Sequence, residues 1–203
     1  MKMICVGRNY REHALELNNP VPAQPLIFFK PDTALLRDNK DFYYPDFTQD
    51  LHHECEIVLR IGREGKSIQK DFALDYIDGV GLGIDFTARD IQSVAKEKGH
   101  PWTLAKGFDH AAPVSAFVEP SSLPPLHDLR FRCELNGEVK QEGHSADMLF
   151  SIPDLLAFIS RYITLKKGDL IFTGTPAGVG PVQPGDRVTA YLEGEKMLDF
   201  AIR

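Results

Sequence analysis

The sequence predicts an α+β fold whose sheets are mixed or mainly antiparallel. About ten strand-like segments and three helical segments follow one another without the strand–helix alternation of a parallel α/β sheet. Asn136-Gly137 separates two strand-like segments and is typical of a type I′ hairpin turn. Glu193-Gly194-Glu195 separates two more. Both hairpins predict antiparallel pairing.

The predicted strands are short runs of apolar or β-branched residues bounded by Gly, Pro, Asn or Asp. Gly79, Gly81 and Gly83 lie inside one of these runs instead of opening a helix, so they are not a dinucleotide-binding loop. On a strand they indicate close packing against neighbouring backbone. The predicted strands are residues 3–7, 26–30, 57–62, 79–84, 126–136, 138–142, 169–173, 187–192 and 196–202.

Three segments carry the start and stop signals of helices. In the second, Thr87 is the predicted N-cap, Asp90 stands at the capping-box position and Gly99 is the stop. In the third, Ser151 is the predicted N-cap and Pro153 lies in the first turn. The three predicted helices are Asn9–Leu17, Ala88–Lys98 and Ile152–Ile163.

Composition narrows the class of protein. The chain has 203 residues, 43% of them hydrophobic and 26% charged, which is ordinary for one globular domain spanning 1–203. The net charge of −6 and the lack of a Lys/Arg cluster argue against nucleic acid or an anionic membrane as partner. No apolar run approaches the roughly 20 residues of a membrane span. Cys5, Cys55 and Cys133 are odd in number and widely spaced, which favours reduced thiols in the cytoplasm.

Three acidic residues are candidate metal ligands. Glu54 and Glu56 are two apart at the start of a strand, so their side chains point the same way. Asp85 ends another strand-like run. Carboxylates that share a partly enclosed space repel one another unless a cation lies between them, and an all-oxygen set suits Mg²⁺ before Mn²⁺ or Ca²⁺. Taken alone, an E-x-E pair is more often an ordinary solvated strand face.

Further polar residues lie near these acids in sequence. Arg89 and Gln92 are three apart on the second helix, one turn from Asp85, and could grip a substrate carboxylate. The alternative is an exposed arginine on an amphipathic helix. Lys106 follows the apolar run 102–105, which is unusual for a surface lysine.

His13 and Glu16 are three apart on the first predicted helix. On one helix face, the glutamate could orient the imidazole and raise its basicity, which would make a general base of His13. A surface His–Glu pair is the alternative.

Five segments in order resemble the fumarylacetoacetate hydrolase superfamily, specifically its small acylpyruvate hydrolases and oxaloacetate decarboxylases. Any one of them is weak evidence, but their order and spacing together are specific. The segments are Cys5-Val6-Gly7-Arg8-Asn9-Tyr10 with His13, His52-His53-Glu54-Cys55-Glu56, Asp85-Phe86-Thr87-Ala88-Arg89-Asp90, Pro101-Trp102-Thr103-Leu104-Ala105-Lys106 and Thr173-Gly174-Thr175-Pro176-Ala177-Gly178-Val179-Gly180.

The resemblance implies a mixed, mainly antiparallel β-roll with a few short helices, usually a homodimer. It implies Mg²⁺ or Mn²⁺, with Ca²⁺ as a substitute, on Glu54, Glu56 and Asp85. It assigns catalysis to His13, Glu16 and Lys106, substrate contacts to Arg89, Gln92, Lys106 and Thr175, and a mobile lid to residues 9–25. The separate N-terminal domain of the true fumarylacetoacetases is missing, so fumarylacetoacetate is not the expected substrate.

The resemblance leaves two reactions open. The first is metal-dependent hydrolysis of the C–C bond of an acylpyruvate to pyruvate and a carboxylic acid. The second is decarboxylation or tautomerisation of oxaloacetate or a related 2-oxo diacid at the same metal. A third reading, an idle metal-binding protein that keeps the fold, fits the sequence less well because His13, Glu16, Lys106 and the three acids are all present.

Overall fold

Four β-sheets organise residues 1–16 and 20–203, which the computed structural model describes. The strands are β1 (Met3–Gly7), β2 (Leu26–Lys30), β3 (Leu35–Leu36), β4 (Leu51–His53), β5 (Cys55–Ile61), β6 (Ile77–Ile84), β7 (Thr87–Ala88), β8 (Ala112–Pro113), β9 (Arg130–Leu135), β10 (Glu138–His144), β11 (Leu170–Phe172), β12 (Gly180–Pro181), β13 (Arg187–Leu192) and β14 (Glu195–Ala201). The α-helices are α1 (Arg11–Glu16), α2 (Arg89–Lys98), α3 (Thr103–Lys106) and α4 (Ile152–Tyr162).

The largest sheet has the strand order β2-β1-β11-β5-β6. β1 and β11 are parallel, and every other neighbouring pair in this sheet is antiparallel. The second sheet, β10-β9-β13-β14, is antiparallel throughout. A three-stranded sheet, β12-β4-β7, and a parallel pair, β3-β8, complete the architecture. The predicted α+β, mainly antiparallel β-roll is confirmed. Among the described residues, no helix has the length and hydrophobicity that a membrane crossing requires.

The core anchors the strand ends that carry the polar residues. β5 and β6 pair along almost their full length and are buried apart from a few positions. Phe86, directly after Asp85, is fully buried between Phe42 and Phe200, with ring centroids 4.2 and 6.3 Å away. The chain that follows β6 therefore has little freedom to move away from the start of β5.

Both predicted hairpins are present. Asn136 and Gly137 have φ values of 56° and 81°, and Glu193 and Gly194 have 51° and 86°. Two consecutive positive φ angles are the signature of a type I′ turn. The strand bounds differ by a few residues from the prediction, most at β9, which begins at Arg130 and not at Leu126.

The helix predictions were right in place but wrong in one cap. α2 begins at Arg89, after the short strand β7, and Thr87 is no N-cap: its hydroxyl donates to the Asp85 carbonyl. Asp90 makes no capping box, because it accepts hydrogen bonds from the Thr48 hydroxyl and the Gln49 backbone. Gly99 ends α2 with φ 66°, as predicted.

The other two predicted helices also formed. Ser151 caps α4 as predicted, accepting from the Asp154 backbone N–H. The first helix spans Arg11–Glu16, within the predicted Asn9–Leu17. Its predicted last residue, Leu17, lies outside the described residues. α3, which ends at Lys106, was not predicted as a helix.

The three alternate glycines of β6 allow close packing, as their spacing predicts. A methyl group on Gly79, Gly81 or Gly83 would approach within 2.9, 2.8 and 2.6 Å of Phe117, Ser115 and Phe172, respectively. Separations this short require the neighbours to move. The glycines thus let β6 lie tightly between its neighbouring strand and the segment around residue 115.

Candidate active site

Strand pairing brings the three acidic side chains together. Glu54 directly precedes β5, Glu56 is its second residue, and Asp85 directly follows β6. Cys55 lies opposite Ile84, and the Asp85 N–H donates to the Glu54 carbonyl at 2.8 Å. One carboxylate oxygen from each residue lies within 4.8 Å of the other two, and all three residues are buried. The sequence-based expectation that these groups converge is confirmed.

Each carboxylate has one oxygen held by a different part of the protein. Arg89 donates to Glu54 Oε1 at 2.6 Å. The Gly174 backbone N–H donates to Glu56 Oε2 at 2.6 Å. Lys30 Nζ lies 2.8 Å from Asp85 Oδ1. The three side chains are thus oriented by an arginine, a backbone amide and a lysine before any ligand is considered.

Lys106 bridges two of the acids. Its Nζ donates to Glu54 Oε2 at 2.8 Å and to Asp85 Oδ2 at 2.7 Å. The lysine is only 3% exposed. Burial opposes its charge, but the adjacent carboxylates of Asp85 and Glu54 outweigh that effect and raise the pKa of Lys106 above its ordinary value. The buried position expected from the apolar run before it is confirmed, and the lysine is a cation at neutral pH.

The charges of the three acids are unequally compensated. Burial opposes ionisation of Glu54, yet Lys106 and Arg89 hold its pKa well below the usual range. Glu56 shows the opposite behaviour: burial, followed by the charges of Asp85 and Glu54, raises its pKa well above the usual value. A divalent cation among the three oxygens would relieve this repulsion and favour the ionised form of Glu56. The donor set therefore fits a hard divalent metal.

Lys30 is a partner of this site that the sequence did not reveal. It lies in β2 with its side chain fully buried, and it donates to the backbone carbonyls of Phe86 and Ala111 at 3.2 and 3.1 Å. It also donates to the carbonyl of Lys106. One ammonium thus joins Asp85, the chain after β6 and the end of α3. In the sequence it reads as the last residue of an apolar strand, with nothing to distinguish it from a surface lysine.

Arg89 and Gln92 lie on one face of α2, as their spacing predicts. Arg89 donates to the Gln92 side-chain oxygen at 2.6 Å as well as to Glu54. Two of its nitrogens thus hold protein groups, while Nε has no partner among the described residues. The helix places both side chains at the wall of the acidic pocket.

His13 and Glu16 form the pair expected on the first helix. His13 Nδ1 lies 3.4 Å from Glu16 Oε2, and His13 is buried. The other Glu16 oxygen accepts from the Gly178 backbone N–H at 3.0 Å, which connects α1 to the loop after β11. Burial lowers the pKa of His13, although the charges of Glu54 and Glu16 oppose this. His13 is therefore a neutral imidazole at neutral pH.

The predicted site residues surround one small pocket. Eight of the nine line it directly, and Glu16 reaches it through His13. The wall also contains residues that sequence reasoning did not assign to the site: Arg8, Phe28, Lys96 and Trp102. Phe28 packs edge-on against Trp102, with ring centroids 5.8 Å apart, and Lys106 Nζ lies 5.2 Å from the Phe28 centroid. Aromatic side chains next to charged groups cannot be recognised as pocket walls without the tertiary structure.

The β-roll and its pocket define a class of enzyme domain with a buried acidic site suited to a divalent cation. The family can also be stated. The family model described as "Fumarylacetoacetate (FAA) hydrolase C-terminal" matches residues 2–201, so the chain belongs to the fumarylacetoacetate hydrolase family.

Curated relatives cover nearly the whole chain. The mouse protein "Oxaloacetate tautomerase FAHD1, mitochondrial" is 43% identical over 201 residues, which are 99% of this chain and 91% of that protein. "Oxaloacetate decarboxylase, mitochondrial" of Dictyostelium discoideum is 42% identical over 206 residues, 100% of this chain and 94% of that protein.

A solved structure has the same fold. Fumarylpyruvate hydrolase from Pseudomonas aeruginosa, crystallised with Mn²⁺ and pyruvate, superposes with a TM-score of 0.94 at 32% identity. The match covers 100% of this chain and 89% of that one. The family predicted from the five sequence segments is thereby confirmed.

Lys30 provides a test of how the site is stabilised. Lys30→Met removes the ammonium but keeps most of the side-chain volume, so it leaves Asp85 Oδ1 without its ion-pair partner and three backbone carbonyls without their donor. We expect the free energy of unfolding to fall by about 3–5 kcal/mol, the usual cost of breaking a buried ion pair. Urea denaturation followed by the fluorescence of Trp102 measures this. The exposed Lys40→Met control should stay within about 0.5 kcal/mol of wild type. A loss below about 1 kcal/mol in Lys30→Met would contradict the role given to this lysine.

Proposed function

We propose that this protein is a divalent-metal-dependent hydrolase that cleaves the C–C bond of acylpyruvates, giving pyruvate and a carboxylic acid. The observation that carries the proposal is a single pocket that holds the three carboxylates and Lys106 together with a neutral, oriented histidine. The three carboxylates, with a bound metal, and Lys106 suit a 2-oxo acid and the negative charge that develops on it during the reaction. The histidine supplies the base that hydrolysis requires.

Glu54, Glu56 and Asp85 would hold the metal. Arg89, Gly174 and Lys30 each hold one oxygen of these carboxylates, and Lys106 holds the second oxygens of Glu54 and Asp85. Once Lys106 releases those two oxygens to the metal, each side chain would offer one oxygen. Mg²⁺ and Mn²⁺ suit such a set better than Ca²⁺, which takes about 6–8 oxygens and often both oxygens of a carboxylate. Mn²⁺ in the Pseudomonas aeruginosa relative supports this choice. When bound, the cation supplies a Lewis acid toward the carboxylate and keto oxygens of the substrate.

Lys106 would stabilise the leaving pyruvate. When the bond between C3 and C4 breaks, its electron pair forms the enolate of pyruvate, and negative charge collects on the C2 oxygen. The Lys106 ammonium is buried, charged and adjacent to the same carboxylates, so it can donate to that oxygen. Arg89 and Gln92, at the wall of the pocket, would orient the substrate carboxylate.

His13 would activate the attacking water. Its Nδ1 faces Glu16, which favours the tautomer with the proton on Nδ1 and leaves Nε2 as the base. Nε2 takes a proton from water while the oxygen attacks C4, the distal carbonyl carbon. Collapse of that adduct gives the carboxylic acid and the enolate, which is then protonated at C3. The lowered pKa of His13 keeps it unprotonated and ready for this step at neutral pH.

A second candidate is decarboxylation or tautomerisation of oxaloacetate. The names of the mouse and Dictyostelium relatives favour it. Oxaloacetate carries a second carboxylate, and Arg8 and Lys96 add positive charge to the pocket wall. Loss of CO₂ leaves the same enolate and needs no water, so Lys106 would act as in hydrolysis, whereas His13 would not be required as the base.

Four further expectations come from the composition of the chain and from the family resemblance. We propose that 1–203 forms a single catalytic domain, that the described parts of the predicted lid, residues 9–16 and 20–25, close over the pocket, and that the enzyme is a homodimer in the cytoplasm. Residues 17–19 of the predicted lid lie outside the described residues. The Glu16–Gly178 contact, which connects α1 to the loop after β11, and His13 in the pocket wall place α1 where a lid would lie. The three buried free cysteines support a reducing compartment.

The metal site is tested by Glu56→Gln, which keeps the side-chain shape and removes the charge. We expect acylpyruvate hydrolysis to fall at least about 100-fold and Mn²⁺ binding to weaken, because a charged ligand is replaced by a neutral amide. Turnover of acetylpyruvate and Mn²⁺ titration measure the two effects. The exposed Glu64→Gln serves as control.

Metal removal is a second test. EDTA should remove wild-type activity, and Mg²⁺ or Mn²⁺ should restore it. Full turnover by metal-free protein would refute the proposal.

The base is tested by comparing two reactions in one variant. His13→Ala should lose acylpyruvate hydrolysis by roughly 10²–10⁴-fold, the usual contribution of a general base, and keep much of any oxaloacetate decarboxylation. Lys106→Ala should damage both, because both pass through the enolate. NMR product analysis with acetylpyruvate and oxaloacetate side by side gives the ratio, and the exposed His127→Ala is the control. Equal losses of both activities in His13→Ala would assign His13 to lid closure or binding instead.

A further inference from the structure

The loop 173–178, which follows β11, contacts three functional groups of the site. Its Gly174 N–H holds Glu56 Oε2, its Thr175 side chain lies in the pocket wall, and its Gly178 N–H holds Glu16. The position of this loop therefore affects a proposed metal ligand, a proposed substrate contact and the helix that carries His13.

Gln141, in β10 of the second sheet, fastens this loop to β5. Its Nε2 donates to Thr175 Oγ1 at 2.7 Å and to the Pro176 carbonyl at 3.0 Å. Its Oε1 accepts from the Cys55 N–H at 2.9 Å and lies 3.1 Å from His53 Nδ1. A glutamine amide has two donor hydrogens and two acceptor lone pairs, so all four are used. The side chain is 1% exposed, which makes each of these bonds costly to lose.

A β-bulge delivers Gln141 to this position. The pairing of β10 with β9 shifts register between Val139 and Gln141, which leaves Lys140 as the extra residue. Val139 and Lys140 are exposed, whereas Gln141 is buried. The Lys140 carbonyl lies where a Cβ on Gly178 would be, at 1.9 Å, and Gly178 has φ 95°. Bulges beside active sites commonly redirect a side chain, and this one packs both a carbonyl and an amide against the loop.

The hydrogen bonds of Thr175 depend on Gln141. Since Gln141 donates to Thr175 Oγ1, the hydroxyl hydrogen points to the Cys55 carbonyl, 2.8 Å away. The hydroxyl then has no hydrogen left for a substrate carboxylate and can only accept. The main role of the Thr175 side chain is therefore to connect the loop to β5 by hydrogen bonds.

We propose that Gln141 is a positioning residue for the metal site and the substrate pocket, acting through Thr175 and the loop 173–178 on Glu56. The inference rests on the proposed metal site at Glu54, Glu56 and Asp85. It adds that metal affinity is set partly from a different sheet, by a side chain that contacts none of the three metal ligands and does not itself line the pocket. A merely structural glutamine would affect folding stability and leave the metal affinity of the folded protein unchanged.

Two substitutions at Gln141 test the proposal. Gln141→Leu has similar size and makes no hydrogen bond, while Gln141→Glu keeps the acceptor oxygen and loses the donors to Thr175 and Pro176. We expect both to weaken Mn²⁺ binding by roughly 10–100-fold, the usual effect of removing a partner that orients a ligand. Electron paramagnetic resonance of free Mn²⁺ measures the dissociation constant, and circular dichroism checks that the variants are folded. The exposed Gln183→Glu controls for an added carboxylate and should match wild type.

Thr175 provides the second arm, should either Gln141 variant fail to fold. Thr175→Val removes both hydroxyl hydrogen bonds and should weaken Mn²⁺ binding to a similar degree, whereas Thr175→Ser keeps the hydroxyl and should stay within about threefold of wild type. The double variant Gln141→Leu/Thr175→Val should be little worse than either single variant, because Gln141 is proposed to act on Glu56 through Thr175 and the loop that carries it. Additive losses would overturn the proposal.

Wild-type Mn²⁺ affinity in folded Gln141→Leu or Thr175→Val would also overturn the proposal, while leaving the proposed function standing. A wild-type protein that binds no Mn²⁺ would instead refute the metal site itself.

Discussion

The burial of three carboxylates at one point is the constraint on which the rest of this structure depends. Removing an ionised carboxylate from water costs several kcal/mol even after the protein relaxes, and three neighbouring ones also repel each other. The fold meets this cost with Lys30, Lys106, Arg89 and the Gly174 amide, each held to a carboxylate oxygen. These partners come from β2, α3, α2 and the loop after β11. The site therefore ties together segments that are far apart in the sequence.

The three carboxylates do not have equal numbers of positively charged partners. Glu54 contacts two cationic side chains, and Asp85 contacts two lysines, whereas Glu56 contacts a backbone amide. Burial, followed by the charges of Asp85 and Glu54, raises the pKa of Glu56, and the Gly174 amide offsets this increase only in part. A bound divalent cation would remove it, which gives the metal a physical reason to bind here. Under the proposed function, this cation and Lys106 would contact the 2-oxo acid, and the His13–Glu16 pair would supply the base from the first helix.

Much of this arrangement could be predicted from the sequence, because several local patterns, each weak alone, occur together in the order and spacing of one family. The E-x-E spacing at the start of a strand fixes the direction of Glu54 and Glu56, and the i,i+3 spacings fix the pairs Arg89–Gln92 and His13–Glu16. Two hairpins with Asn-Gly and Glu-Gly turns identified the antiparallel sheet. The wrong capping box at Thr87 had a tertiary cause, since Asp90 bonds to Thr48 and Gln49 from a distant segment.

Lys30 and Gln141 could not be predicted, for a common reason. Each lies in a strand, each resembles an ordinary polar residue in its sequence context, and each gains its role from contacts between elements that only the fold brings together. The bulge that turns Gln141 inward leaves no clear mark in the sequence Glu138–His144. Polar residues that satisfy buried groups across sheets are thus the part of an active site that sequence patterns reveal least.

The most direct measurement of the central claim is an anomalous difference map from crystals grown with Mn²⁺ and pyruvate. The account predicts one strong manganese peak in contact with one oxygen each of Glu54, Glu56 and Asp85. Lys30, Arg89 and the Gly174 amide should still hold the other oxygens, and pyruvate should lie beside Lys106. A pocket without a manganese peak, or a peak at other residues of the chain, would contradict it.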